Sequence, residues 1–467
     1  MAQDEIVWTR QDLTAALNPS KISDGDFICS GVSIDSRTLQ QGDLFIALTG
    51  EKSDGHDFLA SAEANGAAAA IVSDAHAADR LTIPYILVSN TETALQSLAL
   101  YRRQQTKATV IAITGSVGKT STKEALKFLL ENFGKTYATQ GNFNNHYGVP
   151  LSLSRMTRDC DYAIFEIGTS NPGEISPLAR LVQPRIAIIT AVAAAHLQNF
   201  RDLSEIAEEK KSIIDGLDRK GILFYNGVTC PSNYGDGAIT SVDYMRQSNL
   251  NVNSRNNQSC LTINFDNRVQ DFSRIPNNFI IEQIFYACLE VAKHLHLSLD
   301  KTCEILNSYR LPKGRGKHTI LSLAPRDCDQ KRREILLIDD SYNANPLSMK
   351  ESLIFAGNFA AAHNKSLFLV LGNMLELGND RLRFHQELAE YIDQRSCTTL
   401  FTLGEQISIL SKAKFYKTKV TSFTSIAELE KKIFDNLDEN SVLLIKGSHG
   451  TGLYRIVDVL LSFEVNS

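Results

Sequence analysis

The sequence predicts an α/β protein of three domains: a central P-loop-type domain on a parallel sheet, flanked by a small N-terminal α/β domain and a Rossmann-like C-terminal domain. Three observations carry that reading. The chain has 467 residues, more than one hydrophobic core usually supports. Short apolar runs ending in Gly, Thr or Glu alternate with helical stretches in two long blocks, the rhythm of parallel sheets covered on both faces. Residues 112–130, AITGSVGKTSTKEALKFLL, pass from an apolar run through a glycine turn into an amphipathic helix, which is the build of a phosphate-binding loop.

In chain order, residues 1–85 form the first domain, where the runs DLFIALTG and AAAAIVSD are separated by polar turns such as GEKSDGHDF. The central domain covers 86–313, with VIAITG, YAIFEIG, RIAIITAV and GILFYNG as its strands; the polar piece NVNSRNNQSC reads as a loop or a twisted edge hairpin. After LPKGRGKH the rhythm restarts with EILLIDDSYNANP, SLFLVLGNM, TTLFTLG and SVLLIKGS, predicting a third domain over 314–467.

A net charge of -5 gives no reason to expect a nucleic-acid partner or stable membrane association. The eight cysteines are scattered without a C-x-x-C pair, as expected of reduced thiols. MAQDEIVWTR lacks the apolar core of a signal peptide, and no run is long enough to span a bilayer, so the expected location is the cytoplasm.

The glycine loop, Thr114 to Ser121, carries the strongest chemical signal. Backbone N–H groups at a helix N-terminus attract phosphate, Gly115 and Gly118 let the backbone approach it closely, and Ser116 belongs to the same nucleotide-binding loop. Lys119 supplies a point charge for β/γ oxygens and Thr120 a hydroxyl suited to Mg²⁺, which makes a nucleotide and Mg²⁺ the expected ligands. The longer nucleotide pattern has a glycine where this chain has Ile113, so only the short G-x-x-G-K-T form is met and an incidental glycine turn stays open.

Two more residues sit near expected strand ends, and a third lies in an expected helix. Glu166 closes YAIFEIG, where a carboxylate can hold Mg²⁺ or simply face solvent. His196 follows RIAIITAV; a metal-ligand role and plain packing both suit it. Lys210 lies in SEIAEEKKSIIDGL, whose apolar spacing turns the Glu and Lys residues outward, so spacing alone reads it as solvated. GNFNNHYGVP offers the amides of Asn142, Asn144 and Asn145 to a polar substrate, or else is a turn. IDDSYNANP places Asp339, Asp340, Tyr342, Asn343 and Asn345 at a crevice edge where ribose hydroxyls or an adenine could be held, with an Asx-rich turn and a helix starting after Pro346 as the simpler reading.

Taken in order, these segments resemble the Mur ligases, the ATP-dependent amide ligases of peptidoglycan synthesis, over nearly the whole chain. The carriers are IDSRTLQQGDLFIALTGEKSDGHDF, ITGSVGKTSTKE, GNFNNHYGVPLSL, FEIGTSNPGEI, AAAHL, LIDDSYNANPLSM and LLIKGS; YNANP and GNFNN point to the branch that adds D-alanyl-D-alanine. The resemblance implies a monomer acting on two small molecules, UDP-MurNAc-tripeptide and D-alanyl-D-alanine. It implies ATP as the nucleotide, Ser33, Asp35, Ser36 and Arg37 for the UDP end, and Mg²⁺ held near Thr120, Glu166 and His196. Lys210 falls on the family's carbamylated lysine, a further metal ligand, which reverses the reading from spacing. Arg315 of KGRGK falls on the arginine that begins the third domain, and Asp340 and Asn343 to Asn345 on a nucleotide-facing loop. The implied catalytic set is Lys119, Lys210, His196 and Arg315.

The chain departs from the family in three places. Asn278 and Glu282 of NNFIIEQ stand where relatives carry a His and an Asn that contact adenine; Ser170 and Ser212 stand where relatives carry an Asn and a Glu. Rival readings are another amide ligase of the superfamily, such as a folylpolyglutamate synthetase or an earlier Mur ligase, and a nucleotide-switched binding protein that makes no bond. The asparagine-rich and carboxylate-bearing crevice motifs argue against the switch, which needs no acyl-acceptor pocket.

Overall fold

The computed structural model describes residues 8–50, 53–231, 234, 240–245, 260–266, 268–276, 279–323, 333–395, 397–437 and 440–462.

The apolar run ahead of the glycine loop becomes the strand Thr109–Thr114, near the middle of a six-stranded, all-parallel sheet. In space the order is Thr240–Asp243, Ile222–Tyr225, Ile186–Ile189, Thr109–Thr114, Tyr162–Glu166, Thr136–Ala138. Alternate side chains of the run enter two cores, which is why it carries no polar face: Ile111 and Ile113 pack with Leu126, Leu129 and Phe285, while Val110 and Ala112 pack with Val149, Leu178 and Val182. Strand order reverses at this strand, so the carboxyl ends of Thr109–Thr114, Tyr162–Glu166 and Ile186–Ile189 border one crevice.

Two segments add to the predicted pattern. Thr240–Asp243 extends the sheet, and Cys260–Phe265 pairs antiparallel with Arg268–Pro276 in a separate hairpin. Of the segment NVNSRNNQSC, residues 251–259 lie outside the described residues.

The N-terminal sheet has the order Lys21–Ile22, Tyr85–Leu87, Ala69–Val72, Asp43–Ile46, Gly31–Ser33, parallel except at Lys21–Ile22. Its strand Tyr85–Leu87 straddles the boundary expected at residue 85. The apolar YIL pairs with Ala70–Val72, so the sheet ends at Leu87. The helix Thr91–Gln105 then serves two cores: Ala94, Leu95 and Leu98 pack with Trp8 and Leu44, and Ala99 with Val110.

The third sheet has the order Lys317–Leu323, Arg333–Asp340, Ser441–Lys446, Ser366–Gly372, Cys397–Leu403, Lys419–Phe423, with only the first strand antiparallel. Asp340 and Lys446 are register partners at the carboxyl ends of adjacent strands. Among the described residues no helix is long and apolar enough to cross a membrane, and Cys29, Cys160, Cys230, Cys288, Cys303 and Cys397 are free thiols.

Candidate functional site

The loop after Thr114 is built by close approach. Gly115 (φ 144°) lies so near the next strand end that a Cβ would sit 2.0 Å from the Thr190 hydroxyl, and Gly118 (φ 89°) begins the helix Lys119–Leu130 in left-handed backbone. The Thr190 hydroxyl lies 2.6 Å from the Val117 carbonyl, while Ser116 donates its N–H to Ala191 (2.7 Å) and its hydroxyl to the Ala193 carbonyl (2.9 Å). Ser116 therefore anchors the loop to the neighbouring strand. Lys119 folds back to donate to the Gly115 carbonyl at 2.6 Å. Burial lowers its pKa; Arg315 adds to the effect and Glu166 opposes it. Ser121 is buried, and its carbonyl accepts the Tyr309 hydroxyl at 3.3 Å.

Glu166 ends the adjacent strand and is 2% exposed. One carboxylate oxygen accepts the Asn144 amide at 2.8 Å; the other, Oε2, is buried with no hydrogen-bond partner. The nearest cation to it is Lys123, 0% exposed, whose Nζ lies 3.9 Å away and donates to the Thr139 and Gly141 carbonyls at 2.7 and 3.2 Å. Sequence reasoning missed Lys123. The signal was present: it sits four residues after Lys119, one turn along the same helix face.

The three asparagines of GNFNN divide their work. Asn144 meets Glu166. The Asn145 side chain caps the helix Gly148–Ser154 by accepting from Gly148 N at 2.8 Å, and the Asn142 carbonyl accepts Asn144 N at 2.7 Å. All three border the P-loop cleft, whereas Phe143 between them borders a second cleft of ≈ 550 Å³ in the N-terminal domain. Ser33, Asp35, Ser36 and Arg37 line that second cleft with Phe58 and Arg155. The Arg37 guanidinium grips Asp35 at 2.9 and 2.7 Å and holds its carboxyl below the usual range. Arg155 reaches across from the central domain to the Val32 carbonyl at 2.7 Å.

Lys210 corrects the spacing argument. The helix Leu203–Lys211 buries Glu209 and Lys210 along with Ile206 and Ala207, and Lys210 is 3% exposed. The reason is a partner that spacing cannot see: Glu209 caps a second helix, Ile175–Val182, by accepting from Gly173 N (2.7 Å) and Ile175 N (2.8 Å), which turns this polar face inward. Burial pushes the Lys210 amine well below its usual range; Lys119 lowers it further, while Glu209 and Glu174 oppose. Ser170 lines the cleft with its N–H on Glu174 at 2.7 Å, and the Ser212 hydroxyl donates to the Glu209 carbonyl at 2.7 Å.

The third domain closes the cleft from above. Arg315 stands between Gly314 (φ 75°) and Gly316 (φ 87°), a turn held by Asp339, whose carboxylate accepts Gly314 N at 2.7 Å. Its guanidinium lies over the Tyr342 ring at 3.8 Å and donates to the Thr120 hydroxyl at 3.1 Å. Asp340 borders the cleft with its carboxylate already engaged, 2.6 Å from the buried Lys446 ammonium and 2.5 Å from the Ser352 hydroxyl. Lys446 also donates to the Asn343 carbonyl at 3.0 Å, so the pair shapes the 341–345 loop. The Asn345 side chain caps the helix Pro346–Ala362 through Ser348 N at 2.9 Å. The helix start at Pro346 is thus real, and Asn345 serves it while still lining the cleft. His196 joins the two domains through Glu376, at 2.5 Å. Asn278 lies outside the described residues. Glu282 is half-buried, its carboxyl pushed up to about 7 by burial.

Comparison with known proteins fits this layout segment by segment. Residues 29–103 match the Mur ligase family catalytic domain, 113–234 the Mur ligase middle domain, and 328–449 the Mur ligase glutamate ligase domain. The chain is 35% identical to the UDP-N-acetylmuramoyl-tripeptide–D-alanyl-D-alanine ligase of Rickettsia prowazekii (strain Madrid E), over 97% of this chain and 99% of that relative. The chain belongs to the Mur ligase family. The ligase of the same name from Bacillus subtilis (strain 168) is 31% identical over 93% of each chain. A crystal structure of MurF from Acinetobacter baumannii superposes with a TM-score of 0.80 at 26% identity, covering 98% of this chain and all of that one.

Mur ligases are ATP-dependent amide ligases, and this cleft has the donors such chemistry asks for. Glu166 Oε2, buried without a hydrogen-bond partner, and the Thr120 hydroxyl are hard oxygens that line the same phosphate cleft. Mg²⁺ takes one or two such protein ligands and completes its shell with phosphate and water, so these residues fit it. The ion supplies charge neutralisation of the transferring phosphoryl group.

Proposed function

We propose that this chain joins D-alanyl-D-alanine to UDP-N-acetylmuramoyl-tripeptide with cleavage of ATP to ADP and phosphate. The observation that carries the reading is the GNFNN loop, which borders two clefts at once. Phe143 faces the N-terminal cleft, where a UDP end can sit on Ser33, Asp35, Ser36 and Arg37, while Asn142, Asn144 and Asn145 face the phosphate cleft. A long substrate anchored by its nucleotide at one end would present its peptide carboxylate at the other. The 35% identity to a ligase of that name, over the full length of both chains, supports the same reading. The working units are 1–87, 88–313 and 314–467.

The chemistry follows from charge placement. The tripeptide carboxylate attacks the γ-phosphorus of ATP, ADP leaves, and an acyl phosphate forms. The dipeptide amine then attacks the acyl carbon, phosphate departs with the bonding pair, and the amine sheds a proton. Such phosphoryl transfer asks for positioning and charge neutralisation more than covalent help. Lys119, released from the Gly115 carbonyl, reaches the β/γ oxygens. Arg315, held rigid between the Tyr342 ring and Thr120, brings positive charge from the third domain only when the domains are closed. Closure also excludes water from the acyl phosphate. Thr120, Glu166 and His196 would hold Mg²⁺, joined by a carbamate on Lys210: burial lowers the pKa of this amine and so favours the neutral form that adds CO₂, and the product is anionic. Asp340, Asn343 and Asn345 would shape the nucleotide end of the cleft.

The test is phosphate release from ATP by the purified protein with Mg²⁺, leaving out each substrate in turn. Release that needs both the UDP-tripeptide and the dipeptide, with a UDP-pentapeptide product by mass, is the expected result. Release independent of the dipeptide rejects the assignment.

A further inference from the structure

A second cavity lies on the far side of the His196–Glu376 contact. It holds ≈ 560 Å³, within the range of small-molecule sites, and is walled by Gln198 and Glu376 on one side and Arg381, Glu405, Gln406 and Lys412 on the other. A touching residue pair links it to the phosphate cleft: His196 lines the cleft and Glu376 the cavity.

The backbone behind its wall is held by buried and half-buried polar groups. Residues 373–378 turn back over the cavity, and three side chains hold that turn. Asn373 accepts Ile407 N at 2.9 Å, and Ser448 accepts Leu375 N at 3.0 Å. His385, 0% exposed, accepts Met374 N at 2.9 Å on Nε2 and lies 2.6 Å from the Arg381 carbonyl on Nδ1. With Nε2 accepting, the proton sits on Nδ1 and donates to Arg381; burial keeps the ring neutral. None of these three side chains is needed by the phosphate chemistry, yet together they fix the backbone that carries Glu376 and Arg381.

The cavity also holds unused polar groups. Arg381 makes one long hydrogen bond, to the Gly378 carbonyl at 3.4 Å, and neither Arg381 nor Lys412 is ion-paired among the described residues. Gln406 Oε1 is buried with no hydrogen-bond partner. Two exposed cations without an ion pair and one orphaned acceptor, beside the carboxylates of Glu376 and Glu405 that also line the cavity, suit a ligand that carries a carboxylate and an N–H donor together.

We propose that this cavity seats the amine-bearing acceptor by its far end: Arg381 and Lys412 take the C-terminal carboxylate of a small dipeptide, and Gln406 accepts its internal peptide N–H. Resting on the reaction proposed above, the occupant is D-alanyl-D-alanine. It has one carboxylate, one peptide N–H and an amine at the opposite end, which then points past Glu376 toward the acyl phosphate. Selection would lie in the carboxylate, because a side chain as small as methyl offers little else to read.

Ligase kinetics with D-alanyl-D-alanine and with its C-terminal amide test this without relying on any one variant. The wild type is expected to favour the free acid by about tenfold or more in kcat/KM, the scale of a charge-assisted hydrogen bond. Arg381→Gln and Lys412→Gln should each raise KM for the dipeptide by a similar factor, leave KM for ATP and the UDP-tripeptide within about twofold, and together abolish the preference for acid over amide. Equal use of acid and amide by the wild type, or variants that keep the dipeptide KM, would overturn the seat while leaving the ligase reading intact. A wild type that forms no peptide bond with either dipeptide would instead sink the reaction itself.

Discussion

The imidazole of His196 meets the carboxylate of Glu376 at 2.5 Å, and both residues stand in left-handed backbone, φ 56° and 65°. Neither is glycine, so each conformation costs of order 1–3 kcal/mol and has to be imposed by its surroundings. The contact spans the central and third domains, and Gln198 N bonds the Glu376 carbonyl beside it at 3.4 Å. The imidazole beside it holds the Glu376 carboxyl below the usual range. A carboxylate on one ring nitrogen of a histidine orients the other, so closure of the third domain would aim His196 into the cleft. Glu376→Ala should lower kcat and Mg²⁺·nucleotide affinity by about 10-fold to 100-fold with little change in Tm. Calorimetric titration with Mg²⁺ and a non-hydrolysable ATP analogue reads the affinity; an unchanged Kd would reduce the pair to a surface contact.

Lys119→Ala removes the only loop side chain that can follow the β/γ oxygens. Turnover should fall by about 10²-fold to 10³-fold, a loss typical of electrostatic transition-state stabilisers, while thermal unfolding stays cooperative. Retained turnover would move the ATP site elsewhere.

Lys210 should take up CO₂. Protein equilibrated with ¹³C-bicarbonate is expected to show a carbamate carbonyl resonance that Lys210→Arg lacks, because an arginine cannot present a neutral amine at this pH. Turnover in CO₂-depleted buffer should fall in the wild type. A resonance that persists in the variant would place the modification on another lysine.

Glu282 makes stability pH-dependent with a defined sign. Its folded pKa, about 7, lies above the ordinary value of 4.5, so the folded state binds the proton more tightly than the unfolded one. Its contribution is complete below pH 4.5 and lost as pH rises through 7. Glu282→Gln should therefore leave Tm unchanged relative to wild type near pH 5 and raise it near pH 8, by a few degrees for a gain of order 1 kcal/mol. Thermal melts of both proteins across that range decide it; parallel curves would show that the carboxylate stays hydrated.

The sequence by itself determined whatever depends on neighbours along the chain. The apolar runs around 110–114, 162–166, 186–189 and 222–225 became strands because each buries two faces at once. The glycines of the P-loop were legible because a close approach to phosphate and a left-handed φ exclude a Cβ, and the helix at Pro346 because a proline suits the first helical turn. Family resemblance went further, to Glu166, His196, Lys210 and Arg315, by matching motifs rather than by deriving their surroundings.

Only the tertiary structure decided which polar groups lose their water, and that set their chemistry. Lys210 reads as solvated until Glu209 is seen capping a helix from another part of the chain. Asp340 is placed at a crevice edge by its sequence, but its partner Lys446, 106 residues away and 2.6 Å from it, is visible only in the fold. Asn145 and Asn345 suit a ligand or a turn by sequence, and the fold shows their side chains closing helix ends while both line the cleft. His196 and Glu376, and the cavity behind them, exist only where two domains meet. Periodicity reports which face of an element is apolar; desolvation of a polar face depends on its distant partner, and no local pattern encodes that.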